Sequence, residues 1–252
     1  MTPHIEKILK LVFVFAAGAF AGGFAGVLIY RLPRKLPLFR AGCLCHVCED
    51  GMNTNVFSYL ALRKKCDKCN RPVPLAYVLA YIFCGLLALT AALTRGYNVG
   101  AALFFLICVT LFIISVIDVR HMLIPDQLVL SLAVFSLFYA AAEGWYVSIP
   151  SRIAGFFILS LPMLLLAMII PNAFGGGDIK LIAVCGLLLG VKLLLLACLI
   201  AVTLGAVIGM WHRYMMRGGN HIPFGQFICA GTFIALQYGN ELLWWYFNSL
   251  HI

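Results

Sequence analysis

Apolar runs of roughly twenty residues recur along this chain, and no other feature constrains its fold as tightly. A run of that length crosses a bilayer as a helix, and inside a bilayer only helices and closed barrels satisfy their own backbone groups. The runs fall at about 9–30, 73–94, 98–117, 127–142, 152–171, 179–190, 192–212 and 225–247. Of the 252 residues 63% are hydrophobic and 11% are charged, far from the balance of a soluble domain. These features predict an all-α polytopic membrane protein with about eight transmembrane helices. The sixth run is short, and 179–212 would serve as one tilted helix, but Gly190 and Lys192 favour a break between the two. The first run follows Lys7 and Lys10 as a signal peptide would. Its length, and the flank of Arg31, Arg34 and Lys35 behind it, mark it instead as a retained span.

The net charge of +9 raises the question of nucleic acid, and the placement of the charge answers it. Nine of the 18 Lys and Arg residues lie in one polar stretch, 31–72. The positive-inside rule puts that stretch in the cytoplasm. With eight spans, 118–126, 172–178 and 213–224 share its side, and the opposite loops hold little more than Arg95, Arg152 and Lys192. The basic excess is a topology signal and a contact with the bilayer surface, and no nucleic-acid partner is expected.

Within that stretch Cys45 and Cys48 form one C-x2-C, Cys66 and Cys69 form another, and 17 residues separate the pairs. This is zinc-ribbon spacing. Four thiolates satisfy tetrahedral Zn²⁺, and a reducing cytoplasm favours metal over disulfides. A small cytoplasmic zinc-ribbon-like insertion after the first span is therefore expected, with structural zinc as its staple. Cys43 and His46 lie close enough in sequence to replace Cys45 or Cys48 as ligands.

Beyond residue 72 the chain has five acids: Asp118, Asp126, Glu143, Asp178 and Glu241. Charge near hydrocarbon is costly, so acids there are usually paired, face a cavity, or serve a function. Asp126 follows Pro125 and precedes an apolar run, which reads as a helix entry with a capping side chain. Asp178, behind Gly175–Gly176–Gly177, also precedes a helix and has the same plain reading. Asp118 closes a helix, where the dipole disfavours an anion; Arg120, His121 or a partner carboxylate must account for it. Two carboxylates brought together share a proton, so that one activates water while the other polarises a carbonyl. Glycines at 175–177 would let an extended backbone approach closely, and would permit conformations barred to other residues.

Taken in order, the "IYRLP" exit from the first span, the two C-x2-C knuckles, Asp118 with Pro125–Asp126, "GGGDIKL" and "IPFG" (222–225) resemble the type IV prepilin peptidases. These are bacterial inner-membrane aspartyl proteases of the G-x-G-D class, and the resemblance covers almost the whole chain. It implies a first transmembrane helix at 1–30, a cytoplasmic zinc-binding segment at 31–72 and a seven-helix membrane peptidase domain at 73–252. Asp118 and Asp178 become the catalytic pair, Asp126 the conformational or capping residue of the first motif, and Gly175 and Gly177 the motif glycines. The implied substrates are prepilins or pseudopilins, whose basic leader is removed at the cytoplasmic face. Many members also methylate the new N-terminus with S-adenosylmethionine. Here Val73–Pro74–Leu75–Ala76–Tyr77 lacks the acid usual after the second knuckle, so methylation rests on the resemblance alone. An ion- or proton-coupled transporter would also want membrane carboxylates and interrupted helices, but these acids sit at span ends on one side. A non-catalytic zinc-ribbon scaffold of a secretion or pilus assembly would explain the cysteines and leave Asp118 unexplained.

Overall fold

A computed structural model describes residues 3–36, 75–143, 146–170, 174–216 and 223–249. Among them the chain is helical, with no strand: α1 (Pro3–Arg31), α2 (Leu75–Arg95), α3 (Val99–His121), α4 (Asp126–Ala142), α5 (Ile149–Ile158), α6 (Ser160–Ile169), α7 (Gly176–Met216) and α8 (Gly225–Ser249). Each apolar run of the sequence is mainly helical where it is described, and the run at 152–171 is interrupted at Leu159. Among the described residues five helices are long and apolar enough to cross a membrane: His4–Arg31, Val78–Arg95, Val99–His121, Ile149–Ile169 and Gly176–Trp211. That is fewer than the eight expected from the runs. The two runs at 179–190 and 192–212 count once, as the two arms of α7 on either side of Gly190, α4 is only 17 residues long, and α8 is not among the five. Large apolar side chains such as Phe13, Phe138, Ile169 and Leu199 are exposed on the outer faces, as lipid contact requires.

The chain divides into two compact units, Met1–Val109 and Thr110–Ile252. In the first, α1 lies against α2 through small residues. A Cβ on Gly22 would stand 2.7 Å from the Ala80 carbonyl oxygen, and Gly18 faces Cys84 and Ala88. Without a hydrophobic drive between helices in lipid, such backbone approach is what yields close packing. The expected zinc ligands Cys45, Cys48, Cys66 and Cys69, with Cys43 and His46, lie outside the described residues.

The second unit is built around α7, and two interruptions shape it. Pro162 has no N–H to give the Ile158 carbonyl, and the helix between 149 and 169 breaks at Leu159 into α5 and α6. The expected break at Gly190 is present: this residue is left-handed (φ 70°) inside α7. Such a break strips carbonyls of their intrahelical donors, and buried carbonyls need others. Arg152 supplies them, its guanidinium donating to Leu187 O at 2.9 Å and to Leu188 O at 3.0 Å. Ser151 Oγ accepts the Val191 N–H at 3.2 Å. Arg152 is thus a buried clamp in α5, not one of the loop charges the topology argument counted. The glycine pair Gly155 and Gly186 lets α5 cross α7 with their backbones in contact. Along its second arm α7 packs on α8, where Leu194, Ala197 and Ala201 are buried, as are Phe227, Ile228 and Ala235 of α8.

Candidate active site

Four helix ends of the second unit meet: the C-terminus of α3 and the N-termini of α4, α7 and α8. Met122 ends α3 in a left-handed conformation (φ 49°), its N–H donating to Asp118 O at 2.8 Å. The chain then runs through Leu123 and Ile124 to Pro125, which takes the N-cap position of α4 in extended conformation.

Asp118 is buried, with 5% of its surface exposed. Its Oδ2 accepts the Gln226 N–H at 3.1 Å, and the Gly225 N–H also faces the carboxylate. The first N–H groups of a helix have no intrahelical acceptor and form its positive pole. The carboxylate that its own helix disfavours is therefore received by the N-terminus of another. A Cβ on Gly225 would fall 2.7 Å from Asp118 Oδ2, so this approach requires glycine. Sequence reasoning did not single out Gln226. "IPFG" was the only local signal for it, because 108 residues separate it from Asp118.

Asp178 lies in the first turn of α7, its N–H donating to Gly175 O at 3.1 Å. It is half-buried, and close enough to Asp118 for the charge of one carboxylate to act on the other. The two acids, sixty residues apart in sequence, thus come within electrostatic reach of each other. Cys229, one turn into α8, is buried within electrostatic reach of both.

Asp126 and the glycines differ from expectation. Asp126 is the first helical residue of α4 rather than its N-cap, and no side-chain cap bond forms at that end. Its exposed carboxylate instead pairs with Lys180 Nζ at 2.7 Å, joining the start of α4 to the first turn of α7. None of Gly175, Gly176 and Gly177 is left-handed. Space explains two of them. A Cβ on Gly177 would press on Ile124 at 2.9 Å, and one on Gly175 would meet Asp178 Oδ2 at 3.0 Å. At Gly176 a Cβ would meet nothing. An apolar cavity of about 630 Å³ lies beside this corner between α4, α5–α6 and α7. Leu130, Phe157, Leu164 and Ile179 line it, with the Asp126–Lys180 pair at one edge, but neither Asp118 nor Asp178 does. Among the described residues no group of three or more His, Cys, Asp or Glu side chains is placed to hold a metal ion.

Two carboxylates within each other's field, one held by backbone donors and the other on a glycine-flanked helix start, can divide general-base and general-acid work on a water. Comparison with known proteins points the same way. The sequence profile of the type IV leader peptidase family matches residues 104–210, and that of the bacterial peptidase A24 N-terminal domain matches 16–95. A prepilin leader peptidase/N-methyltransferase of Stutzerimonas stutzeri is 30% identical, over 96% of each chain. Its namesake in Bacillus subtilis is 29% identical over 95% of this chain and 98% of its own, and that of Pseudomonas putida 27% identical over 94% of each. No solved structure matches the chain.

Proposed function

The chain belongs to the type IV leader peptidase family, and from that premise we propose that it removes the leader of prepilins or pseudopilins with Asp118 and Asp178 as its catalytic pair. The observation that carries the proposal is the meeting of these two acids at the ends of α3 and α7, with Asp118 fixed by the N-terminus of α8. One carboxylate takes a proton from water as its oxygen attacks the scissile carbonyl carbon. The other, protonated, donates a hydrogen bond to the carbonyl oxygen. Collapse of the tetrahedral intermediate breaks the C–N bond, and a proton passes to the departing amine. One water is consumed, and an acid and an amine are formed. The pair titrates as a unit, so base and acid are roles of the couple.

The reaction belongs at the cytoplasmic face of a bacterial inner membrane. Supporting this, basic residues flank the exit of α1 (Arg31, Arg34 and Lys35), and Arg120 and Lys180 lie beside the two acids. Zinc on Cys45, Cys48, Cys66 and Cys69 would staple the 31–72 segment. N-methylation of the new N-terminus with S-adenosylmethionine is the second activity named for the relatives' enzymes, and we extend it to this chain.

The test co-expresses the full chain with a prepilin and reads the pilin N-terminus by mass spectrometry. Leader loss together with an added methyl group is expected. Asp118→Asn and Asp178→Asn should each abolish cleavage in protein that still inserts and folds, and full processing by either variant sinks the pair. Metal analysis of the reduced, unchelated protein should find about one Zn²⁺ per chain; metal-free protein would reject the ribbon.

A further inference from the structure

Ile124 lies in the short link between α3 and α4, half-buried, with no group that could enter the chemistry. Its side chain nevertheless touches the starts of two other helices. A Cβ on Gly177 would stand 2.9 Å from Ile124 Cβ and 3.4 Å from its Cγ1, while one on Gly225 would stand 3.0 Å from its Cδ1. Gly177 directly precedes Asp178. Gly225 directly precedes Gln226, whose N–H holds Asp118. The branched end of the side chain therefore rests on the segment that carries one carboxylate, and its tip rests on the segment that holds the other. A β-branched residue is stiff at χ1, and Pro125 restricts the backbone of Ile124 itself.

We propose that Ile124 is a positioning residue: a rigid aliphatic spacer between the N-termini of α7 and α8 that sets how Asp178 and Asp118 face each other. The proposal rests on the reading of these two acids as the catalytic pair. It also gives Gly177 and Gly225 one shared reason, because Ile124 occupies the room that side chains at both positions would need. An ordinary packing role would place the cost of altering Ile124 in stability. A spacer places it in the rate of the chemical step, because a displacement near 1 Å in a reacting group costs up to about a hundredfold. Ile124→Val removes Cδ1, and with it the 3.0 Å approach to Gly225, while keeping Cβ, the atom nearest Gly177.

The experiment measures kcat and KM of the full-length chain, purified in detergent, on a prepilin. The variants are Ile124→Val, Ile124→Ala and Gly177→Ala, with Asp118→Asn and Asp178→Asn as references and a thermal melt of each. Both Ile124 variants should lose about tenfold in kcat with KM within about twofold, and so should Gly177→Ala, whose methyl group would press on Ile124 Cβ. Normal kcat in folded Ile124→Ala would overturn the spacer. If Ile124→Ala fails to fold, Ile124→Val decides by the same criteria. Inactive Asn variants beside full-speed Ile124 variants remove the spacer alone, whereas an active Asp118→Asn removes the catalytic pair and the spacer with it.

Discussion

Asp118 and Asp126 stand eight residues apart in one sequence motif, and each meets a helix N-terminus, but by opposite means. Asp118 is buried and held by backbone N–H groups of α8, a helix 108 residues away in sequence. Asp126 begins its own helix, α4, with its side chain 72% exposed, and is held by the flexible ammonium of Lys180. Backbone donors at a helix start are fixed before the carboxylate arrives, so little entropy is spent in using them. An exposed pair must order two mobile side chains in water and is weakened by salt. The difference separates a group whose position is dictated from one that only tethers two helix starts.

The largest effect should come from disturbing the first of these anchors. Gly225→Ala would drive a methyl group against Asp118 Oδ2, and both α3 and α8 are too well packed to yield freely. We expect prepilin cleavage to fall by about a hundredfold in protein that remains folded. Activity within a factor of two of the parent would mean that the α8 anchor is dispensable and the contrast false. The tether should matter far less. Asp126→Asn and Lys180→Gln should each cost about two- to threefold in cleavage rate, the scale of an exposed ion pair. The exchange Asp126→Lys with Lys180→Asp should restore most of the loss. If Asp126→Asn is as inactive as Asp118→Asn and the exchange restores nothing, Asp126 has a role beyond pairing and the two acids are not so different.

The helical membrane architecture was legible because bilayer thickness writes itself into run length, and the break at Gly190 was legible because glycine followed by lysine interrupts such a run. What repairs that break was not. Arg152 read as one of the few charges of an outer loop, and only the fold brings its guanidinium to the carbonyls of Leu187 and Leu188. The candidate site divides in the same way. Asp118 stood out because a helix C-terminus is a poor place for an anion, but the group that receives it is too distant in sequence for local spacing to find. Asp126 read as a cap because Pro–Asp before an apolar run usually is one; the proline takes the cap and leaves the acid free to pair with Lys180. The three glycines read as conformational freedom. Their backbone angles do not need it, and at two of the three positions the cause is the side chain pressed against them.

The smallest expected effect concerns the backbone of Asp118 rather than its carboxylate. Met122 is left-handed, a conformation that costs an L-residue about 1–2 kcal/mol. The residue is 59% exposed, while its N–H serves the Asp118 carbonyl. Met122→Gly keeps that N–H and relieves the strain, but glycine gives back about 0.5–1 kcal/mol through the freedom it gains in the unfolded chain. The balance favours the variant by about 0–1.5 kcal/mol, a rise of at most a few degrees in Tm for a chain of this size, with cleavage unchanged. If Met122→Gly lowers Tm or slows cleavage severalfold, the methionine side chain helps to hold the end of α3, and Asp118 is fixed by more than the backbone donors around it.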